Sequence, residues 1–242
     1  MNTPIADFLE DYEKKGMLRL HMPGHNGEAP HDITEIAGAD SLYETDSSRG
    51  IIAHSEAIAA KLFGAERTCY SAGGSTLAIQ AALAILRAQG CKTIAAGRCS
   101  HRSLVSSAAL LGLEVKWLYP KEYPSADVDC SKEALSGADA LFLTNIDYYG
   151  GTCPASDPGI PVVVDNAHGS YLKFVSKAGS GREYLHPMEF GFPVISAESA
   201  HKTLPALTGA AYLHFSKGAD YSRAKEMTAL FGSTSPSYLV ME

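Results

Sequence analysis

The chain has 242 residues, of which 45% are hydrophobic and 19% charged, and its formal net charge is -7 at pH 7. This composition is typical of a globular protein large enough to bury a core. The negative charge argues against a nucleic-acid groove, and no apolar run in the sequence approaches membrane-spanning length. The five cysteines form no C-x-x-C pair, so we expect reduced thiols in a cytoplasmic protein, with no zinc site.

The first part of the chain is divided into helical patterns by loops. Apolar spacing and breaker residues predict a helix over 3–15, a turn-rich loop over 20–27, a long polar loop over 30–50, a helix over 52–63, a small-residue turn over 68–76 and a helix over 77–88. The histidines of the 20–27 loop have no acidic or cysteine ligand at metal-binding spacing, so we expect no metal there. We assign residues 1–50 to an N-terminal arm and loop segment, and residues 51–242 to one large domain.

Short strands and helices alternate in the remainder of the chain. Strands are predicted at 92–96, 114–119, 138–144 and 160–164, and helices at 103–111 and 131–135. Alternation of this kind favours an α/β fold with a mainly parallel central sheet and helices on both faces. Ligands bind at the carboxyl edge of such sheets.

Two groups of polar residues suit a phosphorylated ligand at that edge. Gly74, Ser75 and Thr76 open a helix, where free N–H groups and hydroxyls would hold a phosphate, although the segment on its own favours a plain N-cap with flexible glycines. The segment is neither a P-loop nor a G-x-G-x-x-G motif. His101 follows a strand and precedes a helix, a position from which its ring can lie against a ligand ring.

Two further groups suit a pyridine aldehyde. Asp165 and His168 follow a buried strand, so the carboxylate either holds a protonated heterocyclic nitrogen or caps the turn. Lys202 lies in a polar turn that is predicted to follow an apolar strand at 192–195, and it is flanked by Ser199, His201 and Thr203. Partial desolvation there would make its amine nucleophilic; the alternative is a loop lysine with no task. Together with the phosphate and ring positions, these residues match the requirements of pyridoxal 5'-phosphate.

The same segments resemble the Orn/Lys/Arg decarboxylase family of fold-type-I enzymes, which depend on pyridoxal phosphate. The resemblance covers nearly the whole chain and rests on LHMPGHNG (20–27), DITEIAGADSL (32–42), FGAERTCYSAGGST (63–76), the residues of 100–111, VVVDNAHGSYLKF (162–174), SAHKTLPALTGAAYLH (199–214) and STSPSYLVM (233–241). It implies decarboxylation of lysine, ornithine or arginine to an amine of the polyamine pathway.

The resemblance also implies a role for each candidate residue. Lys202 would bond to the cofactor aldehyde, His101 would stack on the ring, Asp165 would pair with the ring nitrogen, and His168 would lie near the cofactor. Ser75, Thr76 and Ser199 would hold the phosphate with His201 beside it, and Lys202 or His201 would return a proton to Cα. Ser235 would help complete the site of a second subunit in a homodimer.

Three positions depart from the family pattern, which usually has a lysine at Asn26, an Asn-Pro-Thr-Tyr type loop at 145–148 (here with Asp147), and an acidic residue at Asn166. Family members also continue into a further domain, so we expect a truncated product, a fragment or half of a split enzyme that lacks the C-terminal small domain. Two alternatives stay open: another fold-type-I enzyme, such as an aminotransferase or lyase, and a non-catalytic homologue that pairs with a full-length subunit.

Overall fold

The computed structural model describes residues 2–20, 23–29, 32–33, 50–120, 122, 125–175 and 184–242. Most of the predicted 30–50 loop, and His21 and Met22 of the 20–27 loop, lie outside these residues. Among the helices that are described, none is long and apolar enough to cross a membrane.

A single mixed sheet forms the centre of the described chain. Its strands are β1 (Arg67–Ser71), β2 (Thr93–Gly97), β3 (Glu114–Leu118), β4 (Ala140–Thr144), β5 (Val162–Asp165), β6 (Val194–Ser199) and β7 (Ala211–Phe215). Their spatial order is β1-β7-β6-β5-β4-β2-β3, and β7 pairs antiparallel with both of its neighbours, whereas the other pairs are parallel. The predicted α/β class with a mainly parallel sheet is therefore confirmed.

Helices cover both faces of the sheet and its edge. They are α1 (Pro4–Lys14), α2 (Ile51–Phe63), α3 (Gly74–Ala88), α4 (Arg102–Leu111), α5 (Ala200–Thr203), α6 (Ala224–Phe231) and α7 (Tyr238–Met241), with 3-10 turns at Ser170–Lys173 and Pro187–Glu189. Left-handed glycines end two of the predicted helices where the sequence indicates: Gly64 (φ 71°) after α2 and Gly112 (φ 63°) after α4.

The apolar side chains form three clusters. One lies between the sheet and α3, α4 and α6, and a second covers the opposite face of the sheet. The third joins Ile5, Leu9 and Tyr12 of α1 to Ile52 of α2 and to Tyr238. The first helix therefore buries its apolar stripe against the domain, while its charged residues face outward.

The structure corrects three details of the sequence interpretation. Residues 131–135 form turns rather than a helix, because so few residues separate them from β4 that a helix cannot propagate beyond its nucleus. The polar turn predicted before Lys202 is strand β6, whose Ser196 and Glu198 are buried. Strands β1 and β7 and helices α5, α6 and α7 are not predicted, since the sequence assigns residues 68–71 to a small-residue turn, and α3 begins at Gly74 rather than at residue 77.

A buried ion pair connects α2, α6 and the edge strand β1. Glu56 is 1% exposed and its Oε1 accepts hydrogen bonds from Lys225 Nζ and from the Tyr70 amide, while Arg67 lies 3.8 Å from Oε2. Burial raises the pKa of Glu56, although Lys225, the Tyr70 amide and Arg67 act in the opposite direction. Removing one partner of such a pair leaves an uncompensated buried charge, so the pair holds these elements in one arrangement.

Candidate functional site

A cavity of about 270 Å³ opens at the carboxyl ends of β2, β4, β5 and β6, next to the start of α3. This is the edge at which ligands bind in open α/β sheets. Nine of the ten predicted site residues line it: Gly74, Ser75, Thr76, His101, Asp165, His168, Ser199, His201 and Lys202.

The tenth residue, Ser235, lies elsewhere. It is exposed and lines a separate hollow together with Gly73, Leu77 and Thr228. Its backbone amide donates to Ser233 Oγ, 3.0 Å away. Within one chain, Ser235 therefore does not join the other nine residues, and its assignment to a second subunit stays a prediction.

The start of α3 is built to receive an anion. Its N-cap residue is Gly73, so no side chain caps the first turn, and Gly74 has a φ of 71° that favours glycine. The Gly74 amide donates to Gly209 O (2.8 Å), which fixes the turn against the segment after α5. Ser199 Oγ donates to Ser75 Oγ over 2.7 Å, so two hydroxyls lie beside the N–H groups of this turn. A Cβ on Gly73 would lie 2.6 Å from Leu77 Cδ1, so the turn has no room for a side chain there.

Asp165 brings a buried carboxylate to the cavity. Its side chain ends β5, the residue is 4% exposed, and its Oδ1 accepts a hydrogen bond from the Ala167 amide at 3.1 Å. Among the described residues no other hydrogen bond to this carboxylate is present. Burial raises the pKa of Asp165, while the Ala167 amide and the charges of His101 and Lys202 oppose that rise. The carboxylate thus lacks a cationic donor, which the protonated nitrogen of a heterocycle would supply.

Lys202 lies on the short helix α5 and is exposed in the single chain, so the predicted desolvation of its amine is wrong for this chain alone. The residue is exposed because no described segment covers the mouth of the cavity above α5. Its Nζ does have a neighbour, His168 Nε2, at 3.2 Å.

His168 is held as a neutral acceptor for that amine. Burial and the charge of Lys202 lower the pKa of His168, and a hydrogen bond to the Ile146 backbone only partly opposes them. The Tyr148 ring meets the His168 ring edge-on, with centroids 4.9 Å apart. A neutral imidazole at this distance can accept a hydrogen bond from Nζ and so orient the amine.

The two remaining histidines are oriented by backbone and hydroxyl groups. His101 is the N-cap of α4, and its Nδ1 accepts from the Ser103 amide at 3.2 Å, which leaves the proton of the neutral ring on Nε2. His201 Nδ1 lies 3.1 Å from Ala210 O. Because a carbonyl only accepts, His201 carries its proton on Nδ1 in this bond, and Nε2 is then an acceptor.

The loop between β4 and Gly151 forms one wall of the cavity and was not predicted in detail. Ile146 has a φ of 56°, an uncommon backbone for a β-branched residue. Asp147, one of the departures from the family pattern, fixes this loop: its carboxylate accepts from the Tyr149, Gly151 and Ala126 amides at 2.8 Å each. Its oxygens are therefore engaged in holding the loop, although the residue lines the cavity.

The other two departures lie away from the cavity. Asn26 occupies a turn with a φ of 54°. Asn166 is fully buried and its side chain contacts Asn145 and Glu198 on the face of the sheet opposite the cavity.

Some residues that line the cavity were not predicted from the sequence as site residues: Cys99, Thr144, Ile146, Tyr148 and Ala167. Their common signal is a position at, or just beyond, the end of a parallel strand. Thr144 Oγ1 is buried and has no hydrogen-bond partner among the described residues, so it offers another polar atom at this edge. No group of three metal-ligating side chains is found within the described ranges.

Comparison with known proteins shows a family to which part of this chain is similar. Residues 144–242, which carry Asp165, His168, Ser199 and Lys202, match the model "Orn/Lys/Arg decarboxylase, major domain". The matched segment begins at the last residue of β4 and includes β5, β6 and β7, so this part of the chain is similar to that family. Curated relatives align over nearly the whole chain: "Uncharacterized protein YaaO" of Bacillus subtilis is 29% identical over 100% of this chain and 55% of its own length. An "Arginine decarboxylase" of Bacillus anthracis is 26% identical over 99% of this chain and 53% of its own.

Solved structures share the fold of this chain. The E. coli constitutive lysine decarboxylase superimposes with a TM-score of 0.72 at 19% identity, covering 99% of this chain and 39% of that chain. The structural neighbours have the fold of fold-type-I pyridoxal-phosphate enzymes. The chain spans about half the length of the curated relatives that it matches.

Proposed function

We propose that the cavity binds pyridoxal 5'-phosphate and serves the decarboxylation of a basic amino acid: lysine, ornithine or arginine. One observation carries the proposal. An amine (Lys202), a buried carboxylate with one donor (Asp165) and a hydroxyl pair at an uncapped helix start (Ser75 and Ser199) converge on a single cavity. The names of relatives, which include arginine and lysine decarboxylases, support the choice of basic substrates.

Each group has a part that follows from its chemistry. The first turn of α3, with Ser75, Thr76 and Ser199, would bind the phosphate through N–H and hydroxyl donors and the positive end of the helix dipole. Asp165 would accept a hydrogen bond from the protonated ring nitrogen. The resulting ion pair would keep that nitrogen protonated and offset the cost of burying the Asp165 charge. His101 would lie against the ring and restrict its tilt.

When bound, pyridoxal phosphate supplies an electron sink for the pair left at Cα as CO2 departs. Lys202 Nζ would be the group that holds the cofactor's aldehyde carbon. His168 Nε2, at 3.2 Å, would accept a hydrogen bond from Nζ and orient it, and the lowered pKa of His168 keeps its imidazole neutral for that contact. Lys202 or His201 would later deliver a proton to Cα of the substrate.

Recognition of the basic end of the substrate requires another acidic group. Of the two cavity carboxylates, Asp147 is engaged by three backbone amides and Asp165 would be engaged by the cofactor. We therefore propose that a second copy of the chain completes the site in a homodimer, where Ser235 would approach the partner's cavity. The proposed setting is the cytoplasm.

A titration with pyridoxal phosphate tests the cofactor assignment. The purified chain should develop the visible absorbance of protein-bound cofactor. The band should be lost in Lys202→Ala and retained in Lys217→Ala, which removes an exposed lysine after β7 at the opposite sheet edge. Absence of the band from the unsubstituted chain would overturn the assignment and favour the non-catalytic alternative.

Product analysis tests the reaction. Lysine, ornithine and arginine should each be supplied to the cofactor-loaded chain, and release of CO2 with the matching amine is expected from one of them. The cofactor anchors do not by themselves select which bond to Cα breaks. Formation of a keto acid without CO2 would support an aminotransferase instead.

A further inference from the structure

A row of buried polar side chains runs beneath the cavity on the opposite face of the sheet. It consists of Thr68, His214, Glu198, Asn166 and Asn145, and is called the polar ladder below. These residues belong to, or directly follow, five neighbouring strands in the spatial order β1, β7, β6, β5 and β4. All five are buried, at 0–1% exposure.

Hydrogen bonds join the ladder residues at three of its four steps, and the remaining step, between His214 and Glu198, is a longer charge contact. Thr68 Oγ1 lies 2.7 Å from His214 Nδ1, and His214 Nε2 lies 3.8 Å from Glu198 Oε2. Asn166 Nδ2 donates to Glu198 Oε1 at 3.0 Å, and Asn145 Nδ2 donates to Asn166 Oδ1 at 3.0 Å.

Glu198 is the hub of the ladder. Its Oε1 also accepts from Ser196 Oγ (2.9 Å) and lies 2.8 Å from His186 Nε2. His186 Nδ1 accepts from the Met188 amide, so the proton of the neutral ring is on Nε2, facing Glu198. Several donors thus converge on one carboxylate, the arrangement that makes a buried charge tolerable.

Each of three ladder residues is the immediate neighbour of a cavity residue. Asn145 follows Thr144, Asn166 follows Asp165, and Glu198 precedes Ser199. Because successive side chains of a strand point to opposite faces, a bond between two ladder residues fixes the relative position of the cavity residues next to them. The backbone agrees: Thr144 pairs with Asp165, and the Asn166 amide donates to Ala197 O at 2.9 Å.

We propose that the polar ladder is a positioning device that sets the spacing between Asp165, Thr144 and Ser199, with Asn166 and Glu198 as positioning residues for the cofactor site. The identity of the ligand in this proposal rests on the proposed function, whereas the geometry of the polar ladder does not. A site held by side chains in loops alone would be looser, and supporting groups behind a site commonly decide how well it binds.

Three substitutions separate this role from general stability. Asn166→Leu cuts both ladder bonds at the centre while keeping an apolar side chain of similar size. Glu198→Gln keeps the Oε1 acceptor and removes the charge, so it should retain the ladder. Ser216→Ala is the matched control, because Ser216 Oγ joins the Val194 amide and Phe192 O at the amino end of β6, on the sheet edge away from the cavity.

Affinity for pyridoxal phosphate is the first readout, measured by fluorescence titration of the folded variants. We expect the dissociation constant to rise at least about tenfold in Asn166→Leu, the size seen when outer groups that orient ligands are removed. Ser216→Ala should stay close to the unsubstituted chain, and Glu198→Gln should lose less affinity than Asn166→Leu because it keeps the Oε1 acceptor for Asn166. Equal affinity in Asn166→Leu, or an equal loss in Ser216→Ala, would overturn the proposal.

Amide hydrogen exchange in the ligand-free protein is the second readout, and it does not depend on the cofactor. Exchange at Ala167 and Ser199 should accelerate at least about tenfold in Asn166→Leu and not in Ser216→Ala. Should Asn166→Leu fail to fold, Asn145→Ala cuts the end of the ladder and is read in the same way. Unchanged exchange in the cut variant refutes the ladder role. A chain that never binds pyridoxal phosphate refutes the proposed function, and the exchange result still decides the ladder.

Discussion

Acid stability offers a test of the buried charges, and His214 gives the clearest case. Burial lowers the pKa of His214 to about 4, with the Glu198 carboxylate opposing this effect and His186 adding to it. The unfolded chain takes up this proton near the ordinary value of 6.5. Between those two values the unfolded state binds more protons at this residue than the folded state, so stability falls as the pH is lowered from about 6.5 to 4.

The size of the effect follows from the two pKa values. By proton linkage, the contribution of His214 to the loss amounts to about 3 kcal/mol at pH 4. The variant His214→Gln has no titrating group at this position and retains a polar atom for Thr68. Its unfolding free energy should therefore depend less steeply on pH over this range than that of the unsubstituted chain.

Urea denaturation at a series of pH values between 7 and 4 measures both profiles, with similar m-values as the check for comparable unfolding. The difference between the profiles isolates His214 from the other histidines. Parallel profiles for the two proteins would refute the view that His214 is buried in its neutral form.

Three further predictions concern other buried groups. Asp165→Asn should stabilise the ligand-free chain at pH 7 by about 1 kcal/mol, a typical gain from relieving a functional site. The reason is that the pKa of Asp165 is raised in the folded chain, so stability falls as the pH rises through that pKa. Thermal unfolding measures this effect, and a lower melting temperature of the variant would contradict it. Asp147→Ala should lower the free energy of unfolding by about 2 kcal/mol because three backbone amides lose their acceptor. The control Asp157→Ala, which frees only the exposed Gly159 amide, should cost less. Equal losses of stability in urea denaturation would contradict this prediction. Lys225→Met should lower the free energy of unfolding by about 3–5 kcal/mol, because it leaves Glu56 buried without its ammonium partner. The double variant with Glu56→Gln should recover part of that loss. No recovery would show that the lysine acts through packing.

The sequence predicts strands β2, β3, β4 and β5 well because each of them is followed by a helix or a turn with clear breaker residues. Glycines such as Gly64 and Gly112 end helices where their left-handed backbone requires them. The cavity could be predicted for the same reason. Asp165 and His101 both follow strands, and the topology of parallel strands brings such positions to one edge.

What the sequence does not display is the order of strands in space. The polar ladder depends on β7 lying between β1 and β6, and no local pattern places His214 beside Glu198. Glu198 is therefore predicted in a polar turn, although it is a buried residue of strand β6. Burial acts to raise the pKa of Glu198, but the charges of His186 and His214 and the hydrogen bonds to the carboxylate outweigh burial, so the pKa lies at about 2. The exposure of Lys202 also escapes local patterns, because it depends on what covers the mouth of the cavity.

The most direct test of the central claim is to identify the lysine that bonds to pyridoxal phosphate. Borohydride reduction of the cofactor-loaded chain, followed by mass spectrometry of its peptides, fixes the cofactor at the residue that holds it. We predict that the added mass lies on Lys202 and is absent from Lys202→Ala. Modification at a different lysine, or none in the unsubstituted chain, would contradict the assignment of the cavity as the cofactor site.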